Sequence, residues 1–96
     1  MIYKYQPPEG IPGATIHHVV PRGARIVGMC EQTGCVYALV DPDEFASDQL
    51  TLTVIATGQH IPSSLLDDEV SEYVGLWKDG DYIWHVFATK SWGAER

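Results

Sequence analysis

The chain has 96 residues, 45% of them hydrophobic and 10% aromatic, with a formal net charge of -7. That length predicts one domain, spanning residues 1–96, whose single modest core needs no metal or disulfide to stay folded. The negative balance excludes conventional nucleic-acid binding, which needs Lys and Arg against phosphate, and opposes binding to an anionic membrane. No apolar run approaches the roughly 20 residues that span a bilayer. The opening "MIYKYQPPEG" lacks the basic and apolar regions of a signal peptide, so a soluble cytosolic protein is expected.

Short β-rich runs punctuated by Gly, Pro and Asp dominate, and no 12-residue stretch has helical period. "IYKY" reads as a first strand, ended by "QPPEGIPG", whose three prolines remove ladder donors. "ATIHHVV" is a second strand, closed by the turn "PRG". "ARIVGMCEQ" and "CVYALVD" form a hairpin with Thr33-Gly34 at its tip. A three-residue loop with Gly34 left-handed pairs Glu31 with Cys35 and Cys30 with Val36. The two thiols then face opposite sides of the sheet and cannot bridge. In the same register Ile26, Gly28 and Cys30 form a small apolar face with Val40, Ala38 and Val36, and Arg25 lies opposite Asp41.

"DPDEFASDQ" is an acidic loop. "LTLTVIATG" alternates, with Leu50, Leu52, Val54 and Ala56 inward, the threonines outward, and Ile55 the exception on the outer side. In "QHIPSSLLDDEV", Ser64 followed by Asp67 is an N-cap signal for one short helix. "SEYVGLWK" and "DYIWHVFAT" flank Asp79-Gly80, a preferred two-residue turn. That turn pairs Lys78 with Asp81, Trp77 with Tyr82, Gly75 with Trp84 and Tyr73 with Val86, which gathers the aromatics on one face. Residues 91–96 read as a flexible tail. Seven mostly antiparallel strands in a meander-like order predict an all-β fold, a small sandwich or partly open barrel.

The charge is unevenly spread. Residues 41–81 hold ten carboxylates against Lys78 alone, whereas residues 1–40 and 82–96 are each slightly basic. No arrangement of residues indicates catalysis. There is no G-x-S-x-G elbow, no glycine-rich phosphate loop and no metal-ligand spacing among His17, His18, His60 and His85. Cys30 and Cys35 have the spacing of half a zinc site, without the other half. "DPDEFASD" fails as a calcium loop, because Phe45 occupies a ligand position and the turn Gly is absent. The expectation is therefore a non-enzymatic protein with no metal, no organic cofactor and ordinary free thiols.

The stretches "PRGARIVG", "YALVDPD", "VIATGQHIP", "EYVG" and "WHVFA" together resemble a family of short proteins encoded by bacteriophages and prophages. The resemblance covers nearly the whole chain, and its motifs lie at turns and strand ends. It implies a phage protein working in the host cytoplasm. With the acidic charge and the missing catalytic motifs, that context leads to an expected anti-defence role. Such an anti-CRISPR-like inhibitor binds a CRISPR effector or another nucleic-acid-binding host protein, its acidic surface imitating nucleic acid. The expected binding carboxylates are Asp41, Asp43 and Glu44 in the first acidic loop and Asp67, Asp68, Glu69 and Glu72 in the second. Tyr73, Trp77, Tyr82 and Trp84 are the expected aromatic anchors, with the sandwich core as the alternative place for the same face. A homodimer through the aromatic face is the alternative partner. Alternative functions are a sponge for a signalling nucleotide, using Arg22, Arg25 and Trp84, and a minor phage structural or assembly protein.

Overall fold

Residues alternating between apolar and polar along a pleated chain bury one face of each strand, and two such faces make a sandwich. The computed structural model describes residues 1–66 and 70–92. Its strands are β1 (Ile2–Tyr5), β2 (Thr15–Pro21), β3 (Arg25–Met29), β4 (Val36–Leu39), β5 (Ser47–Ala56), β6 (Ser71–Asp79) and β7 (Tyr82–Trp92). The remaining regular element is a single 3-10 turn, Ser63–Leu66, at the place expected for a short helix. The fold is all-β: a three-stranded sheet, β1-β4-β3, packs on a four-stranded sheet, β2-β5-β7-β6, with every pair antiparallel. No helix among the described residues is long and apolar enough to cross a membrane.

The expected meander order is corrected. Only β3–β4 and β6–β7 pair as sequential hairpins, while β4 pairs back to β1 and β5 lies between β2 and β7. β5 can take this central place because both its faces are buried. Leu50, Leu52 and Val54 face the other sheet and are essentially inaccessible. Such side chains contribute about 1.5–3 kcal/mol each by leaving water. On the outer side Thr53 and Ile55 are also buried, although alternation alone assigns that face to solvent. The chain after β5 explains this: it folds back over the outer face, where Leu65 is buried and its carbonyl accepts the Ser71 hydroxyl at 3.0 Å. β5 also begins at Ser47, three residues earlier than its alternation suggests. The extra length pairs Gln49 with Ser91 and Asp48 with Trp92, so residues 91 and 92 belong to β7 and not to a tail.

Both hairpins differ in register from expectation, and a β-bulge contributes in each. In β3–β4 the bulge falls at Val27, between Ile26↔Ala38 and Gly28↔Tyr37. Arg25 consequently sits opposite Leu39, not Asp41. The loop holds four residues: Gly34 N–H donates to the Cys30 carbonyl at 2.8 Å, and Cys30 N–H donates to the Cys35 carbonyl at 2.9 Å. Cys30 therefore stands opposite Cys35, and the expectation that the thiols face opposite sides is overturned. Gly34, at φ +75°, supplies the left-handed residue that closes this loop.

In β6–β7 the turn residues are Gly80-Asp81, one step later than expected, with Asp79 pairing Tyr82. Gly80 has φ +60° whereas Asp81 stays at negative φ, so the turn needs glycine only at its first central position. Trp77 then faces Trp84 directly. The bulge at Val74, between Tyr73↔Phe87 and Gly75↔Val86, turns the start of β6 over. It sends Tyr73 to the outer face, away from the tryptophans.

Candidate functional site

Two regions concentrate functional side chains. The first is the acidic β4–β5 loop. After buried Val40 the chain turns at Asp41-Pro42-Asp43-Glu44, with Glu44 N–H donating to the Asp41 carbonyl at 3.2 Å. Asp41 Oδ1 accepts the Asp43 N–H at 3.0 Å, and Glu44 Oε1 accepts the Ala46 N–H at 2.9 Å. Short carboxylate side chains that satisfy nearby amides hold such a loop in one shape. Asp41, Asp43 and Glu44 are all exposed, and among the described residues none of them is in an ion pair. Phe45 follows them and is fully exposed. Asp48, by contrast, is buried, with the Arg22 Nε at 3.5 Å from its Oδ1.

Glu72 is exposed at the start of β6, which lies toward the same end of the four-stranded sheet as the start of β5. Asp67, Asp68 and Glu69 lie outside the described residues. Glu72 is in register, through Ala88, with Leu52 in the middle of β5, so it is not gathered with the β4–β5 loop, and Asp79 and Asp81 sit at the far end of the β6–β7 hairpin.

The expected aromatic anchors separate into two groups. Trp84 is 4% exposed and belongs to the core, with Trp77 packed against the same cluster. Trp84 is corrected from partner anchor to core residue, because the β1–β2 connection covers it. Gly10 lies so close that a Cβ there would stand 3.2 Å from Trp84 Nε1, and the buried indole N–H donates to Asp79 Oδ2 at 3.3 Å. Gly34 closes over Trp77 in the same way. Tyr82 is exposed, its ring stacked on Trp84 at 6.0 Å between centroids. Tyr73 is also exposed, on the opposite face.

Tyr73 opens the second region, a cleft of about 250 Å³ on the outer face of the four-stranded sheet. Ile55, Ile61 and Phe87 form its apolar walls. The Thr57-Gly58 turn forms its rim, closed by Gln59 N–H donating to the Ala56 carbonyl at 3.0 Å. His85 is held between two hydroxyls, with Thr57 Oγ1 2.9 Å from Nε2 and the Tyr73 hydroxyl 2.9 Å from Nδ1. The Tyr73 ring meets Phe87 edge-on at 5.4 Å. Both ring nitrogens of His85 are thus engaged, each donating or accepting according to the tautomer.

Phe45, Thr57 and His85 were not singled out by sequence reading as binding residues. The available signal for Phe45 was an aromatic residue inside an otherwise polar loop. For His85 it was alternation with Phe87 on one side of β7. Among the described residues no three His, Cys, Asp or Glu side chains converge on a metal position.

Residues 1–95 match the model of a family described as a domain of unknown function, DUF7352. The chain belongs to this family. No curated protein and no solved structure matches it. The family match spans both candidate regions of the DUF7352 domain, the acidic loop and the His85 cleft alike.

Proposed function

We propose that this protein acts by binding, docking its acidic β4–β5 loop onto a basic, nucleic-acid-binding surface of a host defence protein and so blocking nucleic acid there. The observation that carries this reading is Phe45, fully exposed beside Asp41, Asp43 and Glu44 on a loop pinned by its own carboxylates. An aromatic anchor ringed by charge is the arrangement of an interface hot spot with a steering rim. Two bases near the loop are engaged within the fold, Arg22 against Asp48 and Lys90 Nζ donating to the Ala24 carbonyl at 2.8 Å, while exposed Arg25 shares a cleft with Asp41. The phage context, and with it the anti-CRISPR-like form of the reading, rests on the sequence resemblance.

A second reading, capture of a small molecule, is favoured by the His85 cleft. Among the described residues no Lys or Arg lines that cleft, so it suits an uncharged, partly aromatic ligand better than a nucleotide. Of the residues expected to serve a nucleotide sponge, Trp84 is buried and Arg22 faces Asp48.

Affinity capture from host lysate, followed by mass spectrometry, tests the main reading. The unchanged chain is expected to retain a nucleic-acid-binding protein, and a variant carrying D41N, D43N, E44Q and F45A to lose it. A second variant with Asp67, Asp68 and Glu72 as Asn or Gln, and Glu69 as Gln, measures the contribution of the other acidic segment. Capture indifferent to both variants refutes the charge mechanism. Retention of virion proteins only, or of a small molecule, refutes the inhibitor reading.

A further inference from the structure

The β3–β4 register places two cysteines where neither acts alone. Cys30 and Cys35 are the closing pair of a four-residue hairpin loop, joined by the 2.9 Å bond from Cys30 N–H to the Cys35 carbonyl. Directly opposed residues of an antiparallel ladder send their side chains to the same face. Tyr5 pairs with Val36, so Gln6 lies beside Cys35 and the three form one row, Gln6, Cys35 and Cys30, on the outer face of the small sheet. The hydrogen bonds agree. Cys35 Sγ donates to Gln6 Oε1 at 3.5 Å and Cys30 Sγ donates to Gln32 Oε1 at 3.4 Å. Both thiols are free; Cys35 is buried and Cys30 is more open.

We propose that Cys30 and Cys35 form a reversible dithiol–disulfide site that exchanges with low-molecular-weight disulfides. A hydrogen-bonded antiparallel pair holds its Cα atoms about 5.5 Å apart, within the roughly 4.4–6.8 Å range that a disulfide spans. Its Cβ atoms stand about 4.5–5.5 Å apart and must close by about 1 Å. The loop Glu31–Gly34, ending in a left-handed glycine, is the segment that takes up this movement.

The two thiols have distinct roles. Hydrogen bonds from the Thr33 hydroxyl, then from the Thr33 and Gln32 backbone amides, lower the Cys30 pKa and favour its thiolate. An accessible thiolate beside a buried second thiol is the pairing of an attacking and a resolving cysteine. Cys30 Sγ attacks one sulfur of R–S–S–R, a mixed disulfide forms, and one R–S⁻ leaves and takes a proton from water. Cys35 then loses its proton and attacks Cys30 Sγ, forming the protein disulfide and expelling the second R–S⁻. One small disulfide thus becomes two small thiols, and the protein loses two hydrogens. Excess thiol runs the sequence backwards.

Closure breaks both thiol hydrogen bonds and fixes the feet of the loop that ties the two sheets together. That tie consists of Lys78 N–H donating to the Glu31 carbonyl at 2.6 Å and Lys78 Nζ lying 3.4 Å from Glu31 Oε1.

The full chain is equilibrated with graded mixtures of reduced and oxidised glutathione, quenched with acid and mapped by non-reducing peptide mass spectrometry. The expected product is an intramolecular Cys30–Cys35 disulfide, two hydrogens lighter, that fully reverses when reduced glutathione is restored. Cys35→Ser is expected to accumulate a glutathione adduct on Cys30, and alkylation of the reduced protein to be at least tenfold faster at Cys30 than at Cys35. A stable glutathione adduct in the unchanged chain, intermolecular disulfides only, or no reaction at any ratio overturns the proposal. The unchanged chain decides the matter even if a serine variant fails to fold.

Discussion

Trp84 and Tyr82 are two residues apart on one strand and share a face, yet they serve different ends. Trp84 is buried under the β1–β2 connection with its N–H satisfied by Asp79, while Tyr82 lies over its edge in solvent. Truncating a large buried aromatic costs its transfer free energy and leaves a cavity. Trp84→Ala is accordingly expected to destabilise the fold by about 3–5 kcal/mol, and Tyr82→Ala by less than about 1 kcal/mol. Urea midpoints of the two variants check the contrast, and equal losses would show that Trp84 is not a core residue. Tyr5 provides a pH-dependent test. Burial, and secondarily the neighbouring Tyr3, raises its pKa above the ordinary 10.0. The folded state therefore holds this phenolic proton more tightly than the unfolded chain does. The stability it contributes is fully present below about pH 10 and lost as pH rises through the raised value. Tyr5→Phe is expected to flatten the decline in stability above about pH 10, and an unchanged decline would remove Tyr5 as its cause.

At the scale of elements, the turns set where side chains meet. A Cβ on Gly34 would stand 2.6 Å from Trp77 Cδ2, in a backbone conformation, φ +75°, that side-chain-bearing residues resist. Gly80 has φ +60° but no neighbouring atom within 4 Å of its Cβ position. Gly34→Ala thus combines backbone strain with overpacking and is expected to cost about 2–4 kcal/mol. Gly80→Ala carries the strain alone, about 1–2 kcal/mol. Thermal melts of both variants separate the contributions, and similar shifts would refute the tight fit of Gly34 on Trp77.

The positions of the strands were legible because period-two alternation survives in "LTLTVIATG" and "DYIWHVFAT". The pairing was less legible. A bulge such as that at Val27 or Val74 adds one residue without changing composition, yet it reverses every face beyond it. For that reason the outward Tyr73 escaped sequence reading, whereas the opposed cysteines escaped it because the loop between them holds four residues instead of three. The His85 cleft escaped it because its walls come from β5, β6, β7 and the segment after β5, which only the tertiary fold brings together. The exposed carboxylates of the β4–β5 loop needed no tertiary information, since a Pro- and Asp-rich loop is solvated by composition.

For the whole molecule, the net charge of -7 acts at distances beyond any single contact. It speeds encounter with a basic partner, and this attraction is screened over about 10 Å at 0.1 M salt. Association of the captured partner is expected to slow at least tenfold between low and physiological salt, with dissociation changing less. Stopped-flow or surface-binding kinetics measure both rates. A salt-independent association rate would assign recognition to Phe45 and its apolar surroundings in place of charge. The F45A substitution alone is expected to act on the dissociation rate, because an anchor holds a complex that charge has already brought together.

The strand order also governs when the molecule can exist during its own synthesis. β5 is buried on both faces and occupies the middle of its sheet, but β7, its neighbour on one side, is the last of the described strands to be made. Until β7 leaves the ribosome, β5 has an open edge and β6 has no partner in the sheet. Assembly of the four-stranded sheet therefore waits for the synthesis of β7, and any pause before residue 82 exposes a nascent chain prone to pair with its neighbours.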